Sequence, residues 1–242
     1  MRNISVILPL YNEVECIDIT WKNLLDFSYH HPDFHFIFVD DGSTDKSKEV
    51  LTKNLENTKL SYIKFISYDK NRGKGYAVKK GLEYAYGDFI CYIDSDLAYS
   101  LEHLELIVEK LEYFDMVIGS RSLVSQNIKV LSLSRKVAGK TFNYLSRYIL
   151  DLPFKDMQAG IKGFKKDVAE ELFKRQLVTS FSFDVELIYL AKKEGYQIGE
   201  IPAIVSETHL YKSSKVNLFK NSLEMFLDLL TIKYNDFMGK YE

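Results

Sequence analysis

An α/β fold, a mostly parallel central sheet flanked by helices, is what this sequence predicts, and three observations carry the prediction. Five short runs, at residues 4–8, 36–39, 62–66, 89–93 and 116–118, are almost continuously apolar, as strands covered on both faces are. Segments with helical spacing separate them, at 13–27, 44–55, 74–86 and 101–112; in the last, Leu104, Ile107, Val108 and Leu111 fall at i, i+3, i+4 and i+7. Strand and helix therefore alternate, the order of a parallel sheet. The length, 242 residues with 46% hydrophobic and 27% charged, is enough to bury one substantial core.

The second half is less regular. It predicts a helix over 133–150, a short strand near 161–164, helices over 166–174 and 183–194, and an extended piece at 197–205. A last helix over about 216–235 sets Leu218, Leu223, Phe226, Leu227 and Leu230 among charged residues and is amphipathic. No internal repeat, low-complexity stretch or Pro/Gly/Ser linker divides the chain, so 1–242 reads as one domain: a first half to about 120, a second to about 215, then the amphipathic helix.

Composition removes several function classes. The net charge is -2 with no long run of one sign, so no nucleic-acid partner is expected. Cys16 and Cys91 form neither a disulfide framework nor a zinc spacing, which suits a reducing cytoplasm. The first ten residues lack the plan of a signal peptide, and no run reaches the roughly 18 apolar residues of a membrane span. A cytoplasmic protein is expected, meeting any membrane from its surface.

Ligands of open parallel sheets bind beyond the carboxyl ends of the strands, and here those ends are acidic. The first run is followed by Pro9-Leu10-Tyr11-Asn12-Glu13, the second by Asp40-Asp41-Gly42-Ser43, the fourth by Asp94-Ser95-Asp96. Asp94 and Asp96, two apart on an extended segment, share a face about 7 Å apart. Hard carboxylate oxygens of this kind suit Mg²⁺ or Mn²⁺ bridging to substrate phosphates; the plainer alternative is strand termination and a helix cap. Gly42 supplies a turn and Ser43 or Thr44 a cap for the next helix, but capping explains only one of two adjacent, mutually repelling aspartates. Tyr11 suits base stacking or a core position equally. Asn71-Arg72-Gly73-Lys74-Gly75 lacks the phosphate-loop pattern and reads as a helix start, with Arg72 or Lys74 lending charge to a diphosphate.

Together these motifs closely resemble the family 2 glycosyltransferases of GT-A (Rossmann-like) fold. Gly119-Ser120-Arg121, Arg135-Lys136 with Asn143, Asp156-Met157-Gln158-Ala159-Gly160, Phe183-Asp184-Val185-Glu186-Leu187 and Ser214-Lys215-Val216 extend the resemblance to about residue 232, and resemble the polyprenyl-phosphate branch, which makes dolichyl- or undecaprenyl-phosphate sugars. The resemblance implies a nucleotide-sugar half followed by an acceptor half. It assigns Pro9, Tyr11, Glu13, Val39 and Asp41 to the nucleoside, Asp94, Ser95 and Asp96 to metal and diphosphate, Arg121 and Lys215 to phosphates, and Arg135 to the acceptor phosphate. Three positions depart from the branch's pattern: Gly139 where Ser is usual, Ala98 after the D-x-D, and His209 where mannosyl members carry arginine.

The reaction so implied is inverting displacement at the anomeric carbon, with a UDP-sugar favoured over GDP-mannose by the 156–160 and 183–186 motifs. A polyprenyl phosphate is ionised at neutral pH and needs no protein base. A saccharide hydroxyl, the rival acceptor, would need one, with Asp184 or Glu186 as candidates against a plain role at a helix start. A non-catalytic nucleotide-sugar-binding scaffold is the third reading, opposed by the intact D-x-D. Peripheral membrane contact is expected through Phe142, Tyr144, Leu145, Tyr148, Ile149 and Leu150 around Arg147 and through the last helix, with a membrane-protein partner as a further expectation.

Overall fold

The structure, a computed structural model, describes residues 2–58, 60–124, 133–206 and 218–242, and for the helical residues 133–138, 140 and 218–222 the backbone alone. In chain order the elements are β1 (Ile4–Leu10), α1 (Val14–His30), β2 (Phe34–Asp40), α2 (Ser47–Thr58), β3 (Ile63–Ser67), α3 (Lys74–Leu82), β4 (Phe89–Ile93), α4 (Glu102–Leu111), β5 (Met116–Ser120), α5 (Leu133–Leu150), β6 (Ile161–Lys165), α6 (Lys166–Arg175), α7 (Phe183–Lys193), β7 (Ile198–Pro202) and α8 (Leu218–Phe237).

The seven strands form one sheet in the order β3-β2-β1-β4-β6-β5-β7. Every pairing is parallel except those of β6, which runs antiparallel to both β4 and β5. Ile161, the first residue of β6, pairs with Ile93, the last of β4. The amino end of β6 therefore lies at the edge where β1, β2, β4 and β5 have their carboxyl ends. Residues 156–160, which precede β6, are delivered to that edge.

Both faces of the sheet are covered, which is why its strands lack polar alternation. Ile7, Ile37, Ile90 and Tyr92 face one side, packing with Val78 of α3, Leu172 of α6, Phe183 and Leu187 of α7, and Leu229 and Ile232 of α8. Val6, Leu8, Phe36 and Phe38 face the other, beneath Trp21 and Leu24 of α1, Leu51 of α2, and Leu104 and Ile107 of α4. Each buried aliphatic or aromatic side chain contributes about 1.5–3 kcal/mol.

Several boundaries differ from expectation. α2 begins at Ser47 rather than 44, because residues 43–45 cross to β1's end as described below. α3 stops at Leu82, four residues short of expectation. The extended piece at 197–205 is a strand only over Ile198–Pro202, after which Ala203 N–H still bonds Ser120 O at 3.1 Å and Val205 bridges Tyr99. Among the described residues no helix is long and apolar enough to cross a membrane.

Candidate active site

At the end of β1 the chain turns through Asn12, held at φ +56°. That left-handed conformation is tolerated because asparagine's side chain bonds locally. Its Oδ1 accepts from Thr44 N–H at 2.8 Å and Asp45 N–H at 3.2 Å, while Asn12 N–H donates to Ser43 Oγ at 2.9 Å and Glu13 N–H to Ser47 Oγ at 2.8 Å. Ser43 and Thr44 are thus cross-links between two strand ends rather than caps. The cross-link leaves Tyr11 42% exposed, which removes the core reading and presents its ring at the sheet edge. Glu13 beside it is half-buried. Pro9 and Val39 are register partners in the buried sheet, so any part they take in a ligand site is confined to the main chain.

Asp40 and Asp41 are both buried. Asp40 accepts from Ser43 N–H (3.0 Å) and Ser67 Oγ (3.1 Å). Asp41 accepts from Tyr68 Oη (2.8 Å), Arg72 N–H (2.8 Å), Asn71 Nδ2 (2.9 Å) and Gly73 N–H (2.9 Å). A carboxylate has about four acceptor sites, and Asp41 fills them with the 68–73 segment. Burial outweighs those bonds and holds its carboxyl above the ordinary value. Gly42, at φ +69°, lies against this segment; a Cβ there would meet Asn71 N at 2.6 Å.

The end of β4 is different. Asp94, Ser95 and Asp96 lead into Leu97, a non-glycine residue at φ +48°, a strain found where a turn serves a site. Leu97 N–H bonds Asp94 O at 3.0 Å, Ala98 N–H bonds Asp96 Oδ1 at 3.1 Å, and Thr20 Oγ1 of α1 donates to Ser95 O at 2.6 Å. This frame faces both aspartates toward the edge. Lys74, the first residue of α3, sets its ammonium 2.6 Å from Asp94 Oδ1, with the lysine side chain 16% and the aspartate 32% exposed. Burial pushes the Asp94 carboxyl up; Lys74 opposes that and Asp96 adds to it. Burial would lower Lys74, but Asp94, Asp184 and Asp96 together outweigh it and hold the ammonium above the lysine range. Gly160, just before β6, closes the other side: a Cβ there would stand 1.9 Å from Asp94 Oδ2, so any side chain would displace that carboxylate. Arg72, the other cation of the 71–75 motif, turns away to Tyr76, donating to its Oη at 2.7 Å.

Arg121, on the turn after β5, is bound in a fork by Asp156: Nε to Oδ2 and Nη2 to Oδ1, both 2.7 Å, with the Arg121 N–H to Oδ2 at 2.8 Å. The pair uses two of five guanidinium donors and leaves the side chain one-third exposed. Although burial acts upward on Asp156, the arginine and the Gln158 N–H hold its carboxyl below the ordinary value.

Behind these groups lies a charge cluster that sequence reading missed. Lys162 of β6, fully buried, donates to Ala159 O at 2.8 Å and stands 3.2 Å from Asp184 Oδ1, which also accepts from Tyr92 Oη. Burial lowers the lysine, with Asp184 opposing. A lysine inside the short strand expected at 161–164 was the available signal. Asp184 is 3% and Glu186 0% exposed; Glu186 accepts from Val178 N–H at 2.9 Å and Tyr241 Oη at 2.5 Å. Both base candidates are therefore buried, in the first turn of α7. Of the remaining expected residues, Lys215 and the 214–216 motif, together with His209, lie outside the described residues, as does the side chain of Arg135 on α5.

A GT-A sheet whose acidic strand ends meet cations at one edge is the framework of a glycosyltransferase, and the chain belongs to glycosyl transferase family 2, whose profile matches residues 5–173. Among curated proteins it is similar to the dolichyl-phosphate beta-glucosyltransferases of Dictyostelium discoideum, 30% identical over 98% of this chain and 75% of that protein, and of Homo sapiens, 28% identical over 99% and 78%. Among solved structures it resembles glucosyl-3-phosphoglycerate synthase of Mycobacterium tuberculosis in complex with UDP, at TM-score 0.67 and 18% identity over 96% of this chain and 80% of that one. Mannosyl-3-phosphoglycerate synthase of Rubrobacter xylanophilus aligns at TM-score 0.72 and 16% identity over 99% and 75%. These structures share the fold.

Proposed function

We propose that this enzyme transfers glucose, or a closely related sugar, from a UDP-sugar to a polyprenyl phosphate, with inversion at the anomeric carbon. The observation that carries the reading is the β4 end: two carboxylates framed by backbone bonds, with Lys74 and Arg121 as cations at the same edge. The names of the curated relatives supply the substrate class.

A divalent cation, Mg²⁺ or Mn²⁺, fits the residues present. Asp94 and Asp96 offer hard oxygen donors, and among the described residues no group of three or more His, Cys, Asp and Glu forms a closed cage. A two-carboxylate site suits a cation that completes its shell with water and substrate phosphates. When bound, such an ion would stabilise the departing nucleoside diphosphate. The similar glucosyl-3-phosphoglycerate synthase has been crystallised with Mn²⁺ and UDP.

The chain's own residues supply the rest. Tyr11 presents a stacking face to the nucleoside, with Glu13 and the main chain of Pro9 and Val39 beside it. Asp41 acts there through the 68–73 segment it holds. Ser95 belongs to the metal and diphosphate turn; Arg121 and Lys215 take phosphates, and Arg135 the acceptor phosphate. An ionised acceptor needs orientation rather than deprotonation, consistent with the interior placement of Asp184 and Glu186. The saccharide-hydroxyl alternative would need Asp184 or Glu186, both buried, as its base.

Contact with a membrane surface is part of the proposal. On α8, Leu223, Leu227, Leu230, Tyr234 and Phe237 are exposed at spacings of four and three residues, opposite the buried Leu229 and Ile232. Tyr144 and Tyr148 of α5 are exposed as well, whereas Phe142 and Leu150, expected at the same surface, are core residues. A membrane-protein partner would use the same face.

Isothermal titration of UDP and GDP, with and without Mn²⁺, against wild type and Asp96→Ala tests the donor site. Mn²⁺-supported UDP binding, lost in the variant, is expected; tighter GDP binding would reverse the donor assignment, and no binding of either nucleotide would sink the enzyme reading. Undecaprenyl and dolichyl phosphates with UDP-glucose then test the acceptor.

A further inference from the structure

Lys74 stands where a cation is needed when no metal is present. Its ammonium is 2.6 Å from Asp94 Oδ1 and within the field of Asp184 and Asp96. The local charges are three aspartates, Asp94, Asp96 and Asp184, against two lysines, Lys74 and Lys162. The cluster therefore carries one net negative charge with every carboxylate ionised. A divalent ion arriving alone must take Asp94 from Lys74 and leave a largely buried ammonium beside a second cation. Lys162 cannot yield Asp184 to it without losing its own counter-charge, since it is fully buried. A diphosphate arriving with the metal supplies the missing anion.

We propose that Lys74 is a built-in substitute cation that couples metal binding to nucleotide binding: it competes with a lone metal for Asp94 and transfers to the diphosphate when both ligands enter. The inference rests on the donor-site reading above. Linkage makes the coupling reciprocal: UDP raises metal affinity by the same factor as metal raises UDP affinity, and the lysine that weakens metal alone enlarges that factor. Free metal is then bound little, and the site fills when the nucleotide is there to be used.

The test is a coupling cycle: Mn²⁺ affinity by electron paramagnetic resonance of the free ion, with and without UDP, in wild type, Lys74→Gln and Lys74→Arg. Lys74→Gln is expected to bind Mn²⁺ alone ~10-fold more tightly than wild type, and the gain in Mn²⁺ affinity on adding UDP is expected to shrink ~10-fold. Lys74→Arg, which keeps the charge, should stay within about 3-fold of wild type for Mn²⁺ alone. Equal or weaker Mn²⁺ binding by Lys74→Gln in the absence of UDP overturns the proposal while leaving the donor site intact. Absence of Mn²⁺ and UDP binding in wild type would instead remove the donor-site reading and this inference with it. If Lys74→Gln does not fold, the labelled lysine ε-carbon spectrum of wild type, assigned by the peak missing from Lys74→Arg, takes its place. The Lys74 signal should move with UDP plus Mg²⁺ and stay with Mg²⁺ alone; movement with Mg²⁺ alone at the same concentration overturns the proposal.

Discussion

Two strand ends of this sheet carry paired aspartates, and they are put to opposite uses. At the end of β2, Asp41 accepts four hydrogen bonds from residues 68–73 and is 3% exposed. At the end of β4, Asp94 is one-third exposed and meets the Lys74 ammonium on one oxygen. The first carboxylate organises protein; the second is placed to exchange its partner for a ligand. Carboxylate-rich motifs in a sequence do not separate these cases, because the difference lies in which donors the fold brings to each oxygen.

Truncating the β2 carboxylate should strike stability hardest. Asp41→Ala strands two backbone N–H groups and a phenol, leaving the Asn71 amide only its bond to Asp41 O, and is expected to lower unfolding free energy by about 3 kcal/mol, measured by urea denaturation. If the variant is as stable as wild type yet loses UDP, Asp41 is a ligand group and the contrast fails. At the β4 end the reverse pattern is expected. Gly160→Ala drives a Cβ into Asp94 Oδ2, and since a carboxylate can swing aside, stability should change by about 1 kcal/mol while Mn²⁺-supported UDP affinity falls ~10-fold. Unchanged affinity would show that Asp94's position is not critical.

The Arg121–Asp156 fork sharpens the comparison through pH. The Asp156 folded value is depressed below 3.8, so its stabilisation is fully present above that pH and is lost as pH falls through the lower folded value. The stability gap between wild type and Asp156→Asn, about 2 kcal/mol near neutrality, should narrow only below pH 3.8. Asp41 has the opposite sign: its raised value favours the fold below 3.8, and that contribution is lost as pH rises through the folded value. A gap for Asp156→Asn that closes well above 3.8 would show the pair is not formed. Smallest of all, Tyr11→Ala should cost UDP binding about 5-fold, the scale of one stacked base, and leave GDP and UDP preference unaltered if stacking alone is involved.

Much of this was legible beforehand. Continuous apolar runs identified five strands because both sheet faces are covered, and the acidic motifs after β1, β2 and β4 do lie at one edge. The exposure of Tyr11 was not legible, since an aromatic at a strand end suits core and surface alike until the Asn12 cross-link to 43–45 is known. Nor was the fate of Asp184 and Glu186: acidic residues in a first helical turn look like solvent-facing dipole partners, whereas here they meet Lys162 and Tyr241 in the interior.

Local pattern determined the strands, the helices and the residue types at their ends, because periodicity and turn chemistry act over a few neighbouring residues. The reversal of β6 was decided only by tertiary structure. Pairing direction depends on partners far apart in the chain, and a five-residue strand sequence carries no signal of its direction. That reversal sets Asp156 on Arg121, Gly160 against Asp94 and Lys162 beside Asp184. Residues that precede a strand thereby join those that follow others, and long-range packing supplies the partner that makes each carboxylate either a structural tie or a site.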